Sequence, residues 1–425
     1  MKKLIRNTRL AVDSSQIVDI FIEDDIISNV TPSSYTTYDD LDEAIDASDM
    51  IALPGLCNMH THSYMTLLKG VGDDLSFKDW LFGRVMPIEE RLTTQDAYTG
   101  TQLACIEMLK SGTTCFLDMH MFEGSCARAV LDAGMRAVMS RGLTDGCGDD
   151  PVGGKRRLTE ALREADAFSD DPLFSFMLAP HAIYTCSSEY LRKIAEAAAT
   201  RGVPLHIHLS ESQGEVDDCL RSNGCTPVEY LERLGIFEIP VVAAHCVHLT
   251  DKDIDILAAH NVTVVTCPKS NLKLGNGFAP LNKLLASGVR ICIGTDGSAS
   301  NNGLNLFSEM CFAALIHKGI AADAASMPAR TVLSFATGNA AKALGIRTGS
   351  IEPGYKADIV LLRTDCERFV PCADPVSALV YSCNGTETDT VIINGKTVMR
   401  KGELLTLDEE KIYADARKIF ERIGG

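Results

Sequence analysis

The sequence predicts an α/β protein in which a (β/α)8 TIM-type barrel carries a small β-sandwich domain built from both chain termini. The prediction depends on eight apolar runs of strand length between residues 51 and 294, on helices between them, and on hairpin-like sequence at both ends. The chain has 425 residues, more than the roughly 250 typical of such a barrel. We place the composite β-rich domain at residues 1–52 plus 349–425 and the barrel at residues 53–348.

Eight apolar runs are the predicted barrel strands. Their apolar character is continuous rather than alternating, which is typical of parallel strands that helices cover on both faces. A doubly wound open sheet is the alternative, but no G-x-G-x-x-G turn follows the first run. The runs are residues 51–56, 113–118, 135–140, 173–178, 204–209, 241–245, 262–267 and 289–294.

The helices between these runs have recognisable ends. Apolar residues recur at helical spacing from Leu191 to Ala198, and Gly202 follows as a stop signal. Thr250 and Asp253 have the spacing of a capping box before the next apolar helical segment, and Asn261 follows its end. Such alternation of strand and helix is typical of a barrel.

Both ends of the chain predict short strands and turns. Residues 18–22 and 26–30 flank an acidic turn and predict a hairpin. A second hairpin is predicted over residues 390–399, where Asn394 and Gly395 form the turn. Residues 408–423 predict a closing helix.

Composition excludes several classes of function. Acidic residues outnumber basic ones by 57 to 40, so the net charge is -17. We therefore expect neither nucleic acid nor a membrane surface as a partner. The 15 cysteines are scattered without a C-x-x-C pair, which favours reduced, buried thiols. Polar residues interrupt the basic start, and no apolar run is long enough to span a membrane, so we expect a cytoplasmic protein.

Polar residues that can bind a metal stand at the ends of four predicted strands. His60 and His62 form an H-x-H pair after the first run, and residues two apart on a strand point to one face. His208, His245 and Asp296 end the fifth, sixth and eighth runs. Barrel enzymes have their active sites at these carboxyl ends, and buried His and Asp side chains are costly without partners. The pattern therefore predicts a metal site.

The ligand types and the fourth run favour a single divalent metal ion. Imidazole and carboxylate ligands suit Zn2+, with Fe2+ and Mn2+ as alternatives. Three histidines and one aspartate leave room for a bound water, whose pKa the metal would lower. Residues 168–180 contain no lysine that could bridge two metal ions after carbamylation.

Other polar residues near the strand ends suit proton transfer, a position in the pocket or a structural role. Glu211 stands three residues after the fifth-strand histidine, which suits a proton shuttle, and a surface loop carboxylate is the alternative. His245 could polarise the attacking water, and Asp296 could accept its proton. His206 suits a hydrogen-bonded histidine of the barrel interior better than a ligand, whereas His120 suits a pocket position and a structural one equally.

Two segments resemble motifs of the amidohydrolase superfamily. Residues 53–62 are similar to its first-strand motif, and residues 351–360 are similar to its return into the β domain. A narrower resemblance is to the 5'-methylthioadenosine/S-adenosylhomocysteine deaminases. It extends over nearly the whole chain and is carried by residues 65–71, 74–82, 86–92, 179–186, 244–249, 270–277 and 294–302.

The narrower resemblance implies a role for each candidate residue. The implied metal ligands are His60, His62, His208 and Asp296. The implied catalytic residues are Glu211, His245 and Asp296. The implied substrate-binding residues are Glu89, His181, Arg141, Arg157, Trp80 and Ser300.

Within the substrate-binding set the resemblance implies separate contacts. Glu89 would accept hydrogen bonds from the ribose hydroxyls, and Trp80 offers a flat apolar surface for the purine or the 5' substituent. Arg141 and Arg157 match positions that meet a substrate carboxylate in some members. Arg156 stands directly beside Arg157, so either of these arginines could occupy the position that matches the family's second arginine.

The implied reaction is metal-dependent hydrolytic deamination of an adenosine-type nucleoside to the inosine-type product and ammonia. The expected small-molecule substrates are 5'-methylthioadenosine, S-adenosylhomocysteine, adenosine and 5'-deoxyadenosine. The alternative is another aminohydrolase or chlorohydrolase of the superfamily, acting on a triazine or a free nucleobase. A non-catalytic barrel is disfavoured because the full ligand set is present. We also expect a homo-oligomer, in which an arginine can reach the site of a neighbouring subunit.

Overall fold

The structure, a computed structural model, describes residues 1–34, 40–145 and 154–424. Cys147, one of the predicted buried thiols, lies outside the described residues. The strands are β1 (Lys2–Leu10), β2 (Ile17–Glu23), β3 (Ile26–Pro32), β4 (Glu43–Asp46), β5 (Met50–Pro54), β6 (Leu56–Thr61), β7 (Thr113–His120), β8 (Arg136–Leu143), β9 (Phe174–Phe176), β10 (Ala179–Pro180), β11 (Leu205–Leu209), β12 (Val241–His245), β13 (Thr263–Thr266), β14 (Arg290–Ile293), β15 (Ile359–Arg363), β16 (Thr388–Ile393), β17 (Lys396–Arg400) and β18 (Glu403–Leu404).

Helices cover the outside of the barrel and close the chain. Short 3-10 helices span Ser63–Leu68 and Ile236–Glu238. A π-helix spans Leu81–Val85, between the first and second α-helices. The α-helices are α1 (Phe77–Trp80), α2 (Met86–Glu89), α3 (Thr94–Lys110), α4 (Ser125–Asp132), α5 (Lys155–Phe168), α6 (Ser188–Arg201), α7 (Gln213–Asn223), α8 (Pro227–Arg233), α9 (Asp251–Ala259), α10 (Pro268–Lys273), α11 (Leu281–Ala286), α12 (Ser298–Asn301), α13 (Leu306–Ala321), α14 (Ala329–Phe335), α15 (Gly338–Leu344), α16 (Pro375–Tyr381) and α17 (Glu409–Ile423).

The barrel consists of parallel strands in two hydrogen-bonded groups. The first group runs β6-β7-β8 and continues into β9 and β10, which are two pieces of the fourth barrel strand and both pair with β8. The second group runs β11-β12-β13-β14. A bridge between Leu178 and Leu205 joins the groups on one side. On the other side the N–H groups of Thr295 and Asp296 donate to the carbonyl oxygen of His60 at 3.1 and 2.9 Å, which closes the ring.

The predicted helix ends are confirmed. Ser187 caps the start of α6 through a hydrogen bond from the Tyr190 N–H, and Gly202 ends the helix with φ 66°. Thr250 and Asp253 form the predicted capping box at the start of α9. The caps therefore fix the starts of α6 and α9 and the end of α6, between barrel strands.

Strands from both chain ends form one nine-stranded sheet in the order β18-β17-β16-β15-β5-β1-β2-β3, with β4 beside β1. The two chain ends meet where β5 pairs antiparallel with β15. Both predicted hairpins are confirmed as β2–β3 and β16–β17. In the second, Asn394 and Gly395 have φ angles of 51° and 78°, as a two-residue hairpin turn requires. The sheet covers its own apolar core, which includes Ile20, Ile45 and Ile359.

The apolar run at residues 51–56, predicted as the first barrel strand, divides between two sheets. Its first part is β5, which belongs to the terminal sheet, whereas the barrel strand β6 begins at Leu56 and continues to Thr61. Gly55 stands at the change, and an added Cβ there would lie 2.0 Å from the Thr114 hydroxyl oxygen. The prediction was wrong at this point because apolar character does not identify the sheet that a strand joins. The domain boundary at residues 52 and 53 stays a prediction.

Candidate active site

The predicted polar residues meet at the carboxyl ends of the barrel strands. His60 lies on β6, His208 on β11 and His245 on β12, and His62 and Asp296 follow β6 and β14. Ligand-type atoms of His60, His62 and His208 lie within 4.8 Å of one another, as do those of His60, His245 and Asp296. The residues that the sequence placed on four separate strands therefore form one buried cluster.

Two members of this cluster have a strained backbone. His245 and Asp296 have φ angles of 71° and 61°, in the left-handed region that L-residues with a side chain rarely adopt. Such a conformation costs about 1–3 kcal/mol and persists where the surrounding structure holds it, most often at functional sites. Both residues contribute ligand-type atoms to the shared cluster.

His62 and His208 are arranged as a pair of metal ligands. The Nδ1 of His62 lies 2.7 Å from the Met119 carbonyl oxygen, and the Nδ1 of His208 lies 2.8 Å from the His181 carbonyl oxygen. Because a carbonyl oxygen only accepts, each Nδ1 carries a hydrogen and each neutral ring has its lone pair on Nε2. The two Nε2 atoms are 3.3 Å apart. Two facing lone pairs at that distance repel each other unless a cation lies between them.

His60 contributes a third ring nitrogen to this cluster. Its Nε2 is buried and has no hydrogen-bond partner among the described residues, and it lies 3.4 Å from Asp296 Oδ1. Burial lowers the pKa of His60 to about 4 and that of His208 well below its ordinary value. Both rings are therefore neutral at pH 7, which is the form that binds a metal. The donor set of three imidazoles and one carboxylate fits a divalent ion such as Zn2+.

Asp296 is held as a carboxylate. The hydroxyls of Ser270 and Ser300 each donate to its Oδ2 at 2.6 Å, and the Gly297 N–H donates to its Oδ1 at 2.7 Å. Burial opposes ionisation, but the pKa of Asp296 lies well below its ordinary value. Because the facing His60 ring is neutral, the three donated hydrogen bonds are the contacts that favour the carboxylate. The ionised form can bind a cation and accept a proton.

Glu211 has the opposite electrostatic setting. Burial first, and then the negative charge of Asp296, raise the pKa of Glu211 well above its ordinary value. The amide of Asn276 donates to Glu211 Oε1 at 3.1 Å, so the proton of the neutral acid belongs on Oε2. Glu211 and Asp296 thus form a pair of carboxyl groups whose environments separate their pKa values, which is the usual arrangement of an acid and a base in an active site.

His245 faces Glu211 across the cluster. Its Nε2 lies 3.8 Å from Glu211 Oε2, and its Nδ1 donates to the side-chain oxygen of Asn271 at 2.8 Å. The lone pair of His245 is therefore on Nε2 and points to the centre.

A cleft of about 850 Å³ opens above the cluster. We call the six residues at its base the floor; they are His60, His62, His208, Glu211, His245 and Asp296. We call the helical segment of residues 77–89 the wall. Both contribute to the cleft lining, which includes Trp80, Glu89, Arg157, His181, His208, Glu211, His245, Asp296 and Ser300.

The wall and its neighbours hold the predicted nucleoside contacts. The Tyr64 hydroxyl donates to Glu89, and burial raises the pKa of that carboxyl. The Trp80 ring is 8% exposed, and its indole N–H donates to the Ala299 carbonyl oxygen at 3.2 Å. Burial lowers the pKa of His181 to about 3, so that its ring is neutral at pH 7.

The two predicted arginines lie in different places. Arg157 lines the cleft. Arg141 does not belong to the cleft lining in the part of the chain that the structure describes; it is 6% exposed and pairs with Glu160 at 2.5 Å. The pair uses Nη2, whereas Nε and Nη1 have no hydrogen-bond partner among the described residues. The contact of Arg141 with a substrate carboxylate stays a prediction.

His120 and His206 are both buried but face different neighbours: His120 on β7 faces helix α5 outside the barrel, whereas His206 lies in the barrel interior. His120 pairs with the buried carboxylate of Glu164 at 3.0 Å, and it is outside the described cleft lining. His206 hydrogen-bonds to His60 at 2.9 Å and to Ser140 at 3.0 Å. The structure therefore agrees with the interpretation of His206 as a hydrogen-bonded interior histidine.

Several supporting residues could not be assigned from the sequence. Ser270, Asn271 and Asn276 orient Asp296, His245 and Glu211 respectively, as described above. They all lie in residues 270–277, a segment whose resemblance to the deaminases was the available signal. Tyr64 and Ser140 carried no such signal, because their contacts join residues that are far apart in the chain.

Comparison with known proteins decides the family. Residues 51–398 match the Amidohydrolase family. This chain belongs to the amidohydrolase family. It is 44% identical over 425 residues to a 5-methylthioadenosine/S-adenosylhomocysteine deaminase of Moorella thermoacetica, covering 98% of each chain. It is also 44% identical over 386 residues to a 5'-deoxyadenosine deaminase of Methanocaldococcus jannaschii, covering 89% of this chain and 90% of the relative.

Solved amidohydrolase structures share the fold. An adenosine deaminase of Xanthomonas campestris with bound zinc has a TM-score of 0.92 at 33% identity, over 99% of this chain and 98% of its own. An atrazine chlorohydrolase of Arthrobacter aurescens with zinc has a TM-score of 0.90 at 26% identity, over 98% of this chain and 100% of its own. The predicted fold class, family and enzyme class are confirmed. Amidohydrolases depend on metal, in agreement with the floor described above.

Within the described ranges, every helix is too short or too polar to cross a lipid bilayer.

Proposed function

We propose that this amidohydrolase catalyses hydrolytic deamination of an adenosine-type nucleoside to the inosine-type product and ammonia. The candidate substrates are 5'-methylthioadenosine, S-adenosylhomocysteine, adenosine and 5'-deoxyadenosine. The observation that carries the proposal is the placement of two buried carboxyl groups, Glu211 and Asp296, beside the histidine cluster on the floor of one cleft, with their pKa values shifted in opposite directions. The deaminases among the relatives support the choice of substrate class.

The floor would hold one divalent metal ion. Zn2+ suits the floor best, because zinc sites in proteins are commonly built from imidazole and carboxylate ligands. Zinc is also bound in the related adenosine deaminase. When bound, such an ion supplies a water of lowered pKa at neutral pH. Reconstitution with Zn2+, Fe2+ and Mn2+ would identify the metal that supports activity. The proposed ligands are His60, His62, His208 and Asp296.

Glu211 would act as the proton donor. Deamination of an aminopurine needs a proton on ring nitrogen N1 while the ring loses aromaticity. Burial and the charge of Asp296 raise the pKa of Glu211, which favours the protonated acid, and Asn276 leaves Oε2 as the oxygen that carries the proton. That oxygen faces His245 across the cluster at 3.8 Å.

Asp296 and His245 would act as acceptors. The carboxylate of Asp296 accepts the proton of the attacking water and passes it to the departing amine, because its low pKa keeps it ionised until that point. The Nε2 lone pair of His245 accepts a hydrogen bond from the same water and orients it, since Asn271 holds the ring hydrogen on Nδ1.

The cleft would bind the nucleoside by its base and its ribose. Glu89 accepts hydrogen bonds from the two ribose hydroxyls, and the donated bond from Tyr64 keeps its carboxyl in place. His181 contacts the nucleoside, and Trp80 presents an apolar face to the purine or the 5' group. Ser300 contributes indirectly, since its hydroxyl is bonded to Asp296.

The arginines would decide which 5' group is preferred. Arg157 lines the cleft, so it can meet the carboxylate of S-adenosylhomocysteine, whereas Arg141 is outside the described cleft lining and pairs with Glu160. A homo-oligomer stays a prediction, and an arginine from a neighbouring subunit would alter this preference.

A substrate panel with metal-reconstituted protein tests the proposal. Ammonia release is measured with the four nucleosides and, in parallel, with guanine and chloro-triazines. We expect turnover of at least one nucleoside and none of the second group. The second group represents the alternative function, which the structural similarity to the atrazine chlorohydrolase favours. Turnover of only the second group would overturn the proposal.

A further inference from the structure

A line of hydrogen bonds crosses the barrel interior and ends at His60. It passes through the Asp118 carbonyl oxygen on β7, the Ser140 hydroxyl on β8 and the His206 ring on β11. The successive distances are 2.6 Å from Ser140 Oγ to Asp118 O, 3.0 Å from Ser140 Oγ to His206 Nδ1, and 2.9 Å from His206 Nε2 to His60 Nδ1. All four residues are at most 1% exposed, so water does not compete for these contacts.

The hydrogens in this line can be placed in only one order. The Asp118 carbonyl oxygen accepts only, so the single hydroxyl hydrogen of Ser140 points to it. Ser140 Oγ then accepts from His206 Nδ1–H. The remaining nitrogen of His206, Nε2, therefore has a lone pair and accepts from His60 Nδ1–H.

The order of hydrogens fixes the tautomer of His60. With its hydrogen on Nδ1, His60 has a lone pair and no hydrogen on Nε2. This Nε2 atom has no hydrogen-bond partner in the described part of the chain. It points toward Asp296 Oδ1 at 3.4 Å. The opposite tautomer would place a hydrogen on Nε2 and would remove His60 from the ligand set.

His60 differs in this respect from the other two histidine ligands. His62 and His208 donate their Nδ1 hydrogens to backbone carbonyl oxygens, which no side-chain substitution removes. Only His60 among the three depends on side chains for its tautomer. A side-chain substitution can therefore change the tautomer of His60 while the tautomers of His62 and His208 stay fixed.

We propose that Ser140 and His206 are positioning residues that hold His60 in its metal-binding tautomer. The inference rests on the metal site of the proposed function. His206 is not itself a ligand, since both of its ring nitrogens are used within the line. Partners of metal ligands at this distance typically change metal affinity by about 10- to 100-fold when they are removed.

The test compares three variants of the full chain, His206→Phe, His206→Gln and Ser140→Ala. Zn2+ affinity is measured by competition with a chelator, and the tautomer of His60 is measured by long-range proton–nitrogen NMR on metal-stripped protein. We expect about 10- to 100-fold weaker Zn2+ binding in His206→Phe and a smaller loss in Ser140→Ala. His206→Gln should recover part of the affinity, because the amide oxygen can accept from His60 Nδ1–H.

His317→Phe is the matched control. His317 is also buried, at 4% exposure, but its nitrogens contact the carbonyl oxygens of Ala313 and Ala279 instead of the cluster. It should leave Zn2+ affinity and the His60 tautomer unchanged. Melting temperatures of the stripped proteins show whether each variant is folded, and Ser140→Ala, the smallest change, keeps the test valid if His206→Phe does not fold.

Unchanged Zn2+ affinity together with an unchanged His60 tautomer in the folded variants would overturn the inference. Its failure is distinguishable from failure of the proposed function. A chain that binds Zn2+ through this line but deaminates no nucleoside would retain the inference and lose the function. If the unsubstituted chain bound no Zn2+, the NMR result on stripped protein would still decide whether the line controls the tautomer.

Discussion

The floor and the wall of the cleft are built in different ways. On the floor, the carbonyl oxygens of Met119 and His181 orient His62 and His208. Side chains of the short helices α10 and α12 orient His245 and Asp296. The wall is a short helical segment interrupted by the π-helix Leu81–Val85, and it exposes apolar side chains such as Phe82, at 51%. The floor is therefore fixed by hydrogen bonds, whereas the wall is shaped by apolar surface.

This difference separates chemistry from selectivity. A change on the floor disturbs atoms that every substrate must meet, so it should reduce turnover of all substrates equally. A change on the wall or at the outer end of the cleft should alter binding according to the groups that one substrate has and another lacks. The predictions below test that separation.

Removal of the metal should have the largest effect. Stripping with a chelator should abolish ammonia release from every nucleoside, because the facing lone pairs on the floor then have no cation between them. Adding Zn2+ back should restore the activity, and a mock-treated sample is the control. Full activity in protein whose metal content is below a tenth of an equivalent would contradict the metal site.

Glu211→Gln should have the next largest effect. We expect kcat to fall by about 10²- to 10⁴-fold for all substrates, since loss of a general acid has that magnitude. Because the pKa of Glu211 is raised, its proton is present below that pKa and activity falls as pH rises through it. The variant should lose this alkaline limb. Glu232→Gln, at an exposed position on α8, is the control; equal loss in both variants would contradict the assignment.

Glu89→Gln should have an intermediate effect that depends on the substrate. We expect kcat/KM for the nucleosides to fall by about 10- to 100-fold, which corresponds to a hydrogen bond with a charged group. Zn2+ content should not change. Glu90→Gln, the exposed neighbour, serves as the control. A parallel loss of Zn2+ from Glu89→Gln would show that the wall and the floor are not separable.

Arg157→Met should have the smallest and most selective effect. We expect kcat/KM for S-adenosylhomocysteine to fall by about tenfold, as for one charge-assisted contact at a solvated site. Turnover of 5'-deoxyadenosine, which has no carboxylate, should stay constant. Arg156→Met is the matched control. Equal losses for both substrates would show that Arg157 supports the fold of the cleft instead of recognising the 5' group.

Much of the floor could be predicted because its residues stand at strand ends. His60, His208 and His245 were each identified from an apolar run that precedes them, and parallel strands in a barrel bring their carboxyl ends together. The partners that orient them were not predictable in the same way. Asn271 and Ser140 lie 26 and 66 residues from their partners in the chain. Asn271 at least lies in a segment that resembles the deaminases, whereas nothing in the sequence marks Ser140.

The limits of the pattern are also visible in the fold. The first apolar run was assigned to the barrel as a whole, although its residues up to Pro54 pair with β15 more than 300 positions later in the chain. Arg141 shows the same limit, because its partner Glu160 lies on another element and changes what the guanidinium can reach. Sheet membership and pairing of charges depend on tertiary contacts that a linear pattern does not contain.

Ammonia release from 5'-methylthioadenosine by zinc-loaded protein, compared with zinc-loaded Glu211→Gln, tests the central claim most directly. We predict one ammonia per inosine-type product with the unsubstituted chain. We predict at least about 10²-fold slower release with the variant at equal zinc content. Equal rates for the two proteins, or no ammonia from any adenosine-type nucleoside, would contradict the assignment of this cleft to nucleoside deamination.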